Sequence, residues 1–378
     1  MSTTKLLFWL SAAGVVYPYF GYPLLLWLRR AGFARHRATP SAHADLPSVT
    51  MLIPVHNEAA RIGDKIVNTA SLRYPADRLQ VLFISDGSTD RTVDIIRERA
   101  LAGATLLELP GRKGKAAALN AGLAAAAHDI LVFTDASIRL GPDALEQIVG
   151  PFADPGVGCV SGEDPIVGGG GEAMYGRYEL TLRRLESSVH SIVGASGSFY
   201  AQRRHLCQPF VEGMAPDFLS VLRTVEQGFR AVSEPGAVGT MTSVKDPRQE
   251  FERKVRTVLR GITTLAAHGH LLNPLATGIF AFELWSHKMM RWLAPLFLVG
   301  ALASALALAS DLFYGAAFVA QALFYLMALG AFRQWAGLHA SLPGKIALYF
   351  TSVNMAILAG WWRFATGVRQ ELWTPSSR

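Results

Sequence analysis

The residues best suited to chemistry in this chain are carboxylates standing where apolar runs stop. Residues 130–134 read Ile-Leu-Val-Phe-Thr, a β-prone run that fits a buried parallel strand. Asp135, Ala136 and Ser137 follow, so a carboxylate sits at the strand's carboxyl end. In open α/β sheets ligands bind outside that edge, which suits Asp135 to a hard cation or a ligand hydroxyl. Asp and Ser also cap helices, and for this stretch alone that reading competes. Two further runs end alike: Ile53-Pro54-Val55-His56-Asn57-Glu58, and Ser85-Asp86-Gly87-Ser88-Thr89-Asp90. Helix capping does not require Glu58, Asp86 and Asp135 to share one sheet edge. A common ligand does.

A second kind of chemistry lies in Gly111-Arg112-Lys113-Gly114-Lys115-Ala116, which opens an Ala-rich stretch. Two glycines, three cations and a helix N-terminus make an anion site. The spacing of a Walker motif is absent. A solvated basic turn is the plainer alternative, but lysine at a helix start opposes the macrodipole, so a negative partner is expected there. Asn120 is expected to face the same cleft. His190, His205 and His287 lack metal-ligand spacing and are assigned no role.

Holding these groups together takes alternating strands and helices. Strands are expected at 49–55, 79–85, 105–109, 130–134 and 157–161, with helices at 58–72, 91–102 and 115–127. That alternation means crossover units on a parallel sheet, an α/β fold. Further on, amphipathic helices are expected at 172–193 and 248–268, and a short interfacial one at 285–292.

The ends of the chain differ in character. Of 378 residues, 51% are apolar and 17% charged, and the apolar excess gathers at both termini. Residues 6–28 carry no charge and close on Trp27, Arg29 and Arg30. A membrane span of about 20 residues with an aromatic and basic cytosolic anchor fits this better than a cleaved leader. Apolar runs return at 293–310, 312–332 and 346–362. The first two read as a transmembrane hairpin. The third contains Thr351, Ser352 and Asn354; if it spans, Arg363, Arg369 and Arg378 lie outside, against the positive-inside tendency. A re-entrant or interfacial helix keeps that tail cytosolic; spanning is the working expectation. The net charge of +7 and pI of about 9.5 raise nucleic acid or membrane as partners. Arg29, Arg30, Arg35, Arg37, Lys288 and Arg291 border the apolar runs, and no basic platform interleaved with aromatics exists, so the membrane reading wins over nucleic acid. The two cysteines, Cys159 and Cys207, form no framework and suit a reducing compartment.

The ordered set of motifs resembles family 2 glycosyltransferases. The residues that carry it are 53–58, 86–90, Gly114-Lys-Ala-Ala-Ala-Leu-Asn120, 134–137, Gly194-Ala-Ser-Gly-Ser-Phe-Tyr200, Pro216-Asp217-Phe218 and Phe251-Glu-Arg-Lys-Val-Arg256, across roughly 49–292. The resemblance implies a GT-A, Rossmann-like nucleotide-sugar domain, and flanking helices like those of membrane-embedded bacterial polysaccharide synthases. The implied plan is a transmembrane helix in 1–30, a linker at 31–47, the cytosolic GT-A domain at 48–246, amphipathic interfacial helices at 247–292, transmembrane helices within 293–363, and a tail at 364–378.

By the same resemblance, Pro54, Glu58 and Asp86 would hold the base and ribose, with Lys115 nearby. Asp135 would open the family's Asp-x-Asp motif and bind Mg2+ or Mn2+ bridged to the diphosphate. Ser137 stands at its third position, so one carboxylate remains, and a hydroxyl or water would complete the shell. Asp217 matches the catalytic base that takes the acceptor hydroxyl's proton, with Pro216 replacing the usual preceding carboxylate; it could equally cap the helix after it. Gly197 and Ser198 fall on the implied acceptor side. Arg253 and Arg256 would meet the diphosphate; Arg256 matches the arginine of the processive Gln-x-x-Arg-Trp motif, and Thr257 replaces its Trp. The expected protein is a metal-dependent, inverting glycosyltransferase of the bacterial inner membrane. It would use a nucleotide-diphosphate sugar, expected to be a UDP-sugar, and a lipid-linked or polysaccharide acceptor. A processive, secreting synthase is one alternative. A non-catalytic glycan-binding or scaffold subunit is the other.

Overall fold

Nine strands form one mixed sheet in the computed structural model, which describes residues 2–32, 46–99, 101, 103–167, 171–242 and 246–368. In chain order the strands are β1 (Val49–Val55), β2 (Leu79–Ser85), β3 (Ala104–Glu108), β4 (Ile130–Thr134), β5 (Arg139–Leu140), β6 (Val157–Glu163), β7 (Ile166–Val167), β8 (Phe199–Arg203) and β9 (Arg230–Thr242). Across the sheet they run β3-β2-β1-β4-β8-β6-β9-β5, with β7 on β9. The strands β3, β2, β1 and β4 are parallel. β8 then enters antiparallel between β4 and β6. The chain steps from β1 outward to β3, then returns to place β4 on β1's other side. That reversal is the topological switch point, where the carboxyl ends of β1 and β4 open a crevice.

Every residue of β1 and β4 is buried, as continuous apolar runs require when both faces are covered. One face carries α3 (Ile62–Ala70), α4 (Thr92–Glu98) and α6 (Ala144–Val149) around Ile53, Phe83 and Val132. The other carries α5 (Lys115–Ala125) and α8 (Pro216–Glu226) around Leu52, Phe133 and Tyr200. The helix α3 begins four residues later than its pattern suggests, at 62 instead of 58, and α4 one later, at 92 instead of 91, because the residues before them are spent on turns that exchange hydrogen bonds. Glu58 N donates to Thr92 Oγ1 at 2.8 Å, and Ala59 N to Asp90 Oδ2 at 3.0 Å.

The remaining helices include the long apolar ones. They are α1 (Thr3–Val16), continued by a π-helical turn (Tyr17–Gly21) into α2 (Tyr22–Gly32); α7 (Gly171–Val189); α9 (Pro247–Ala267); α10 (Pro274–Thr277); α11 (Ile279–Leu284), continued by a π-helical turn (Trp285–Met289) into α12 (Met290–Ala307); α13 (Leu312–Phe332); and α14 (Leu342–Ala365). The expected separate interfacial helix at 285–292 does not exist; those residues are the middle of one continuous helix. The expected run 172–193 stops at Val189, and 346–362 is embedded in a longer helix. Most of the expected linker and tail, 33–45 and 369–378, lies outside the described residues.

Three described helical stretches are long and apolar enough to cross a membrane: Ile279–Ala307, Leu312–Phe332 and Leu342–Ala365. The N-terminal helix is not among them, since Tyr17, Pro18, Tyr19, Tyr22 and Pro23 dilute its apolar run. It nevertheless packs antiparallel along α12. The Gly14 position faces the Phe297 ring, Ser11 faces Gly300, and Lys5 reaches Asp311 at 3.6 Å. A buried polar network ties this bundle to α7. His287 Nδ1 lies 2.6 Å from Glu186 Oε1 and its Nε2 lies 3.2 Å from Glu179 Oε2. Tyr22 donates to Glu186 at 2.9 Å, and Arg291 donates to Glu179. His287, which the sequence left without a role, is the clasp between two helices.

Candidate active site

A pocket opens at the switch point, lined by Pro54, Lys115, Asp135, Gly197, Tyr200 and Asp217 among others. Each comes from a different element, so the fold makes the site and no single segment does. The floor is aromatic: Phe133 of β4 stacks on Tyr200 of β8 with ring centres 4.5 Å apart and planes at 10°, and Phe210 meets Phe133 edge-on at 5.7 Å. These rings fill the space under the sheet edge and leave the polar groups above them.

Asp135 follows β4 directly. Its N–H donates to Ser198 O at 3.1 Å, which extends the β4–β8 ladder by one step and fixes where the carboxylate points. Lys115 Nζ donates to Asp135 Oδ1 at 2.6 Å, and Ser198 Oγ donates to Oδ2 at 3.3 Å. The carboxylate keeps 20% exposure, open to the pocket. Ser137, the expected second metal position, does not line the pocket; the hydroxyl beside Asp135 is that of Ser198. Among the described residues no three His, Cys, Asp or Glu side chains group as a metal site. The donor set is one carboxylate and a hydroxyl, both hard oxygens. That fits Mg2+ or Mn2+ held mainly by a diphosphate, because such ions take few protein ligands beside phosphate oxygens. Lys115, now on Oδ1, is long enough to turn to the phosphates.

Beneath Asp135 lies Lys65, a residue the sequence reading missed. It is buried, and its ammonium donates to Thr134 Oγ1 at 2.9 Å and to Ile138 O at 3.0 Å, pinning the chain on both sides of the carboxylate. Burial lowers its pKa to about 7, and the charge of Asp135 opposes that shift. The signal was legible: Lys65 falls between Ile62 and Ile66 on the apolar face of α3.

Asp217 opens α8, half-buried, one residue after Pro216. Burial raises its pKa, and the nearby cations Lys115 and Lys288 pull it part of the way back. The Gly197 position faces its carboxylate: a Cβ there would lie 3.7 Å from Oδ2. Pro54, Lys115, Asp135, Gly197 and Asp217 are thus brought together.

The other expected site residues lie apart from this lining. The carboxylate of Asp86 is fully buried and accepts from the amides of Lys113 at 2.6 Å and Gly114 at 2.9 Å. It ties the end of β2 to the glycine loop. Glu58 is buried beside Arg61, 3.4 Å away; burial raises its pKa, Arg61 offsets this, and Asp135 adds to it. Arg253 is engaged by Glu250 at 2.8 Å and Glu172 at 2.9 Å. Arg256 is half-buried on the same helix and does not line the pocket. One turn on, Arg260 is buried and feels the charges of Glu212 and Asp217.

The start of α5 also differs from expectation. The negative partner there is supplied by the chain itself: Glu212 Oε1 accepts from Ala117 N at 3.2 Å. Gly114, at φ +96°, makes room, since a Cβ there would come within 2.6 Å of that carboxylate. Asn120 does not face the cleft; it exchanges two hydrogen bonds with the backbone of Phe210, at 2.7 and 2.9 Å.

Residues 50–208 match the model for "Glycosyl transferase family 2". The chain is 33% identical over 129 residues to "Probable glycosyltransferase YdaM" of Bacillus subtilis, covering 32% of this chain and 31% of that one. It is 27% identical over 192 residues to a poly-beta-1,6-N-acetyl-D-glucosamine synthase of Staphylococcus epidermidis, covering 49% and 46%. The chain therefore spans less than half the length of these curated relatives. Among solved structures it resembles the mannosyltransferase PcManGT of Pyrobaculum calidifontis, in complex with GDP-Man and Mn2+. That likeness has a TM-score of 0.71 and 25% identity, over 94% of this chain and 99% of that one.

Proposed function

From a chain that carries a family 2 glycosyltransferase domain on a GT-A sheet, at residues 50–208, we propose a membrane-bound, inverting transfer of a hexose from a nucleoside-diphosphate donor to a membrane-delivered acceptor. One observation carries this reading: Lys115, Asp135 and Asp217 converge on one pocket at the switch point, between aromatic floor and open crevice.

The chemistry divides among these residues. Asp217 takes the proton of the acceptor hydroxyl as its oxygen attacks the anomeric carbon. The raised pKa supports that role, because a carboxylate destabilised by burial is a stronger base than one in water. Lys115 turns toward the diphosphate and offsets the charge that grows as the bond to the sugar breaks. Asp135, steadied by Ser198 and by Lys65 from below, would hold the divalent cation, whose positive charge polarises the departing diphosphate when bound. Phe133 and Tyr200 keep bulk water from the underside.

Donor identity stays a choice between UDP- and GDP-sugars. The family resemblance implies UDP, and the GDP-Man complex of the mannosyltransferase supports including GDP-hexoses. The test is nucleoside-diphosphate release by detergent-purified protein from a panel of both, with Mn2+ or Mg2+ and lipid acceptors present. Release with one donor, lowered about 100-fold or more in Asp217→Asn and in Asp135→Asn, is expected. Turnover that ignores both substitutions would sink the assignment. The likeness to a polymer synthase favours a second, processive reading. A product ladder from one acceptor, in place of a single addition, would select it.

A further inference from the structure

We infer that Glu212 is a positioning residue for the transfer: it locks the head of α5, which carries Lys115, to the loop that leads to Asp217. The inference rests on the glycosyl-transfer reading above and adds to it a residue outside the pocket lining.

Residues 207–215 lead into α8 with no helix or strand of their own, and Asp217 stands in the first turn of α8. Side-chain contacts must therefore fix where the base sits. Asn120 of α5 holds the backbone of Phe210 with two hydrogen bonds. Thr264 Oγ1 of α9 accepts from Ala215 N at 2.9 Å, just before α8 begins. Between these anchors the chain turns: Met214 N donates to Val211 O at 3.3 Å, and Gly213 takes φ +81° at the third position, as a type II turn requires. Glu212 is the second residue of that turn, and its Oε1 accepts from Ala117 N at 3.2 Å. Ala117 and Asn120 lie on one face of α5, so the loop is fastened to that face twice. Gly114, the residue before Lys115, packs against the same carboxylate, where a Cβ would come within 2.6 Å of Oε1. No slack remains between the loop of the base and the residue that precedes Lys115.

A helix cap alone needs only a short polar side chain at its own N-terminus. Glu212 reaches in from a distant segment, and its Oε2 is buried with no hydrogen-bond partner among the described residues. Burial raises its pKa, and the amides of Ala117 and Ala116 and the charge of Arg260 offset this. The fold thus keeps a carboxylate where its second oxygen is unsatisfied, a cost that closing the loop does not require. Transfer does require what this contact supplies. The acceptor oxygen, the anomeric carbon and the departing diphosphate oxygen must align, with Asp217 serving one end and Lys115 the other. A misplacement of about 1 Å between such groups can cost about 100-fold in rate.

The experiment separates reach from charge in full-length, detergent-purified protein, with the donor and acceptor that the panel selects. Glu212→Asp keeps the charge and shortens the side chain by one methylene. Glu212→Gln keeps the reach and an oxygen for Ala117 N, and gives up the charge. The aspartate variant should lose about tenfold or more in kcat with both KM values within about threefold of wild type, and the glutamine variant should hold kcat within about threefold. In an Asp217→Asn background, Glu212→Asp should cost less than about threefold further, because its effect runs through the base. Donor binding, measured by calorimetry, should persist in every variant. The reverse order, with aspartate holding and glutamine falling, overturns the inference in favour of a charge role. Tighter donor binding with undiminished kcat overturns it too, since the carboxylate would then be a plug in an anion site. Equal losses in both backgrounds, or lost donor binding, would leave Glu212 a scaffold residue only. If the wild type consumes no donor under any condition, the glycosyl-transfer reading itself fails.

Discussion

At the scale of single residues, the site holds charges that folding alone would avoid. Asp217 is the clearest. Its folded pKa lies above the unfolded value of about 3.9, so the fold binds a proton there more tightly than the open chain does. Its contribution to stability is therefore complete below that unfolded value and lost as pH rises through the folded pKa. As pH rises through the folded pKa, the fold carries a growing desolvation cost for the ionised carboxylate. Asp217→Asn should then melt higher than wild type at pH 7.5, with the gap closing as pH falls toward the range of a free carboxylate, while transfer drops about 100-fold or more. A variant that melts lower at pH 7.5 would contradict this electrostatic account. Asp135 and Asp217 were legible because strand ends and helix starts mark them. Lys65 left only its place between Ile62 and Ile66 on the apolar face of α3 as a sign, and tertiary packing shows which groups it pins.

At the scale of elements, the turn after β2 shows how a motif residue can serve the site without touching it. Asp86 spends its carboxylate on the amides of residues 113 and 114, and Gly87 takes φ +61° to bring the two segments together. A Cβ at Gly87 would fall 2.4 Å from Gly111 C, against backbone that cannot swing away. Gly87→Ala should cost more than the roughly 1 kcal/mol of its positive φ and should raise donor KM by displacing Lys115. A melting temperature and donor KM both unchanged would remove this turn from the account. The parallel half of the sheet was readable because each strand there is a continuous apolar run followed by a helix. The other half, which mixes parallel and antiparallel pairs, was not, apart from β6. β5 and β7 have two residues each, and β9 carries Pro235, Gly236 and Gly239, so none shows a clean period. Their pairing is decided by the sheet edge they join.

At the scale of the molecule, packing bears on what length and apolarity leave open for α14. α12 runs away from the catalytic domain, from Trp292 to the turn before Asp311, and α13 runs back. α14 starts close to where α13 ends. Its far end also returns to the domain side: Trp361 Nε1 donates to Trp292 O at 2.9 Å, and Arg363 pairs with Glu252 of α9 at 3.0 Å. Nearer its start, the Tyr349 ring receives Lys254 of the same helix at 4.0 Å. Both halves of α14 thus rest on α9, the geometry of a helix lying along the interface, although its composition would let it cross. This favours the interfacial placement over the spanning one taken from sequence, and it leaves Arg363 on the side where membrane proteins collect positive charge. Single cysteines at Val67, Ser310 and Thr366, with Cys207 replaced by serine and Cys159 left buried, separate the two arrangements. In inside-out vesicles an impermeant maleimide should label Val67→Cys and Thr366→Cys and spare Ser310→Cys. Thr366→Cys protected together with Ser310→Cys would restore α14 as a span and place the end of the chain across the bilayer from the active site.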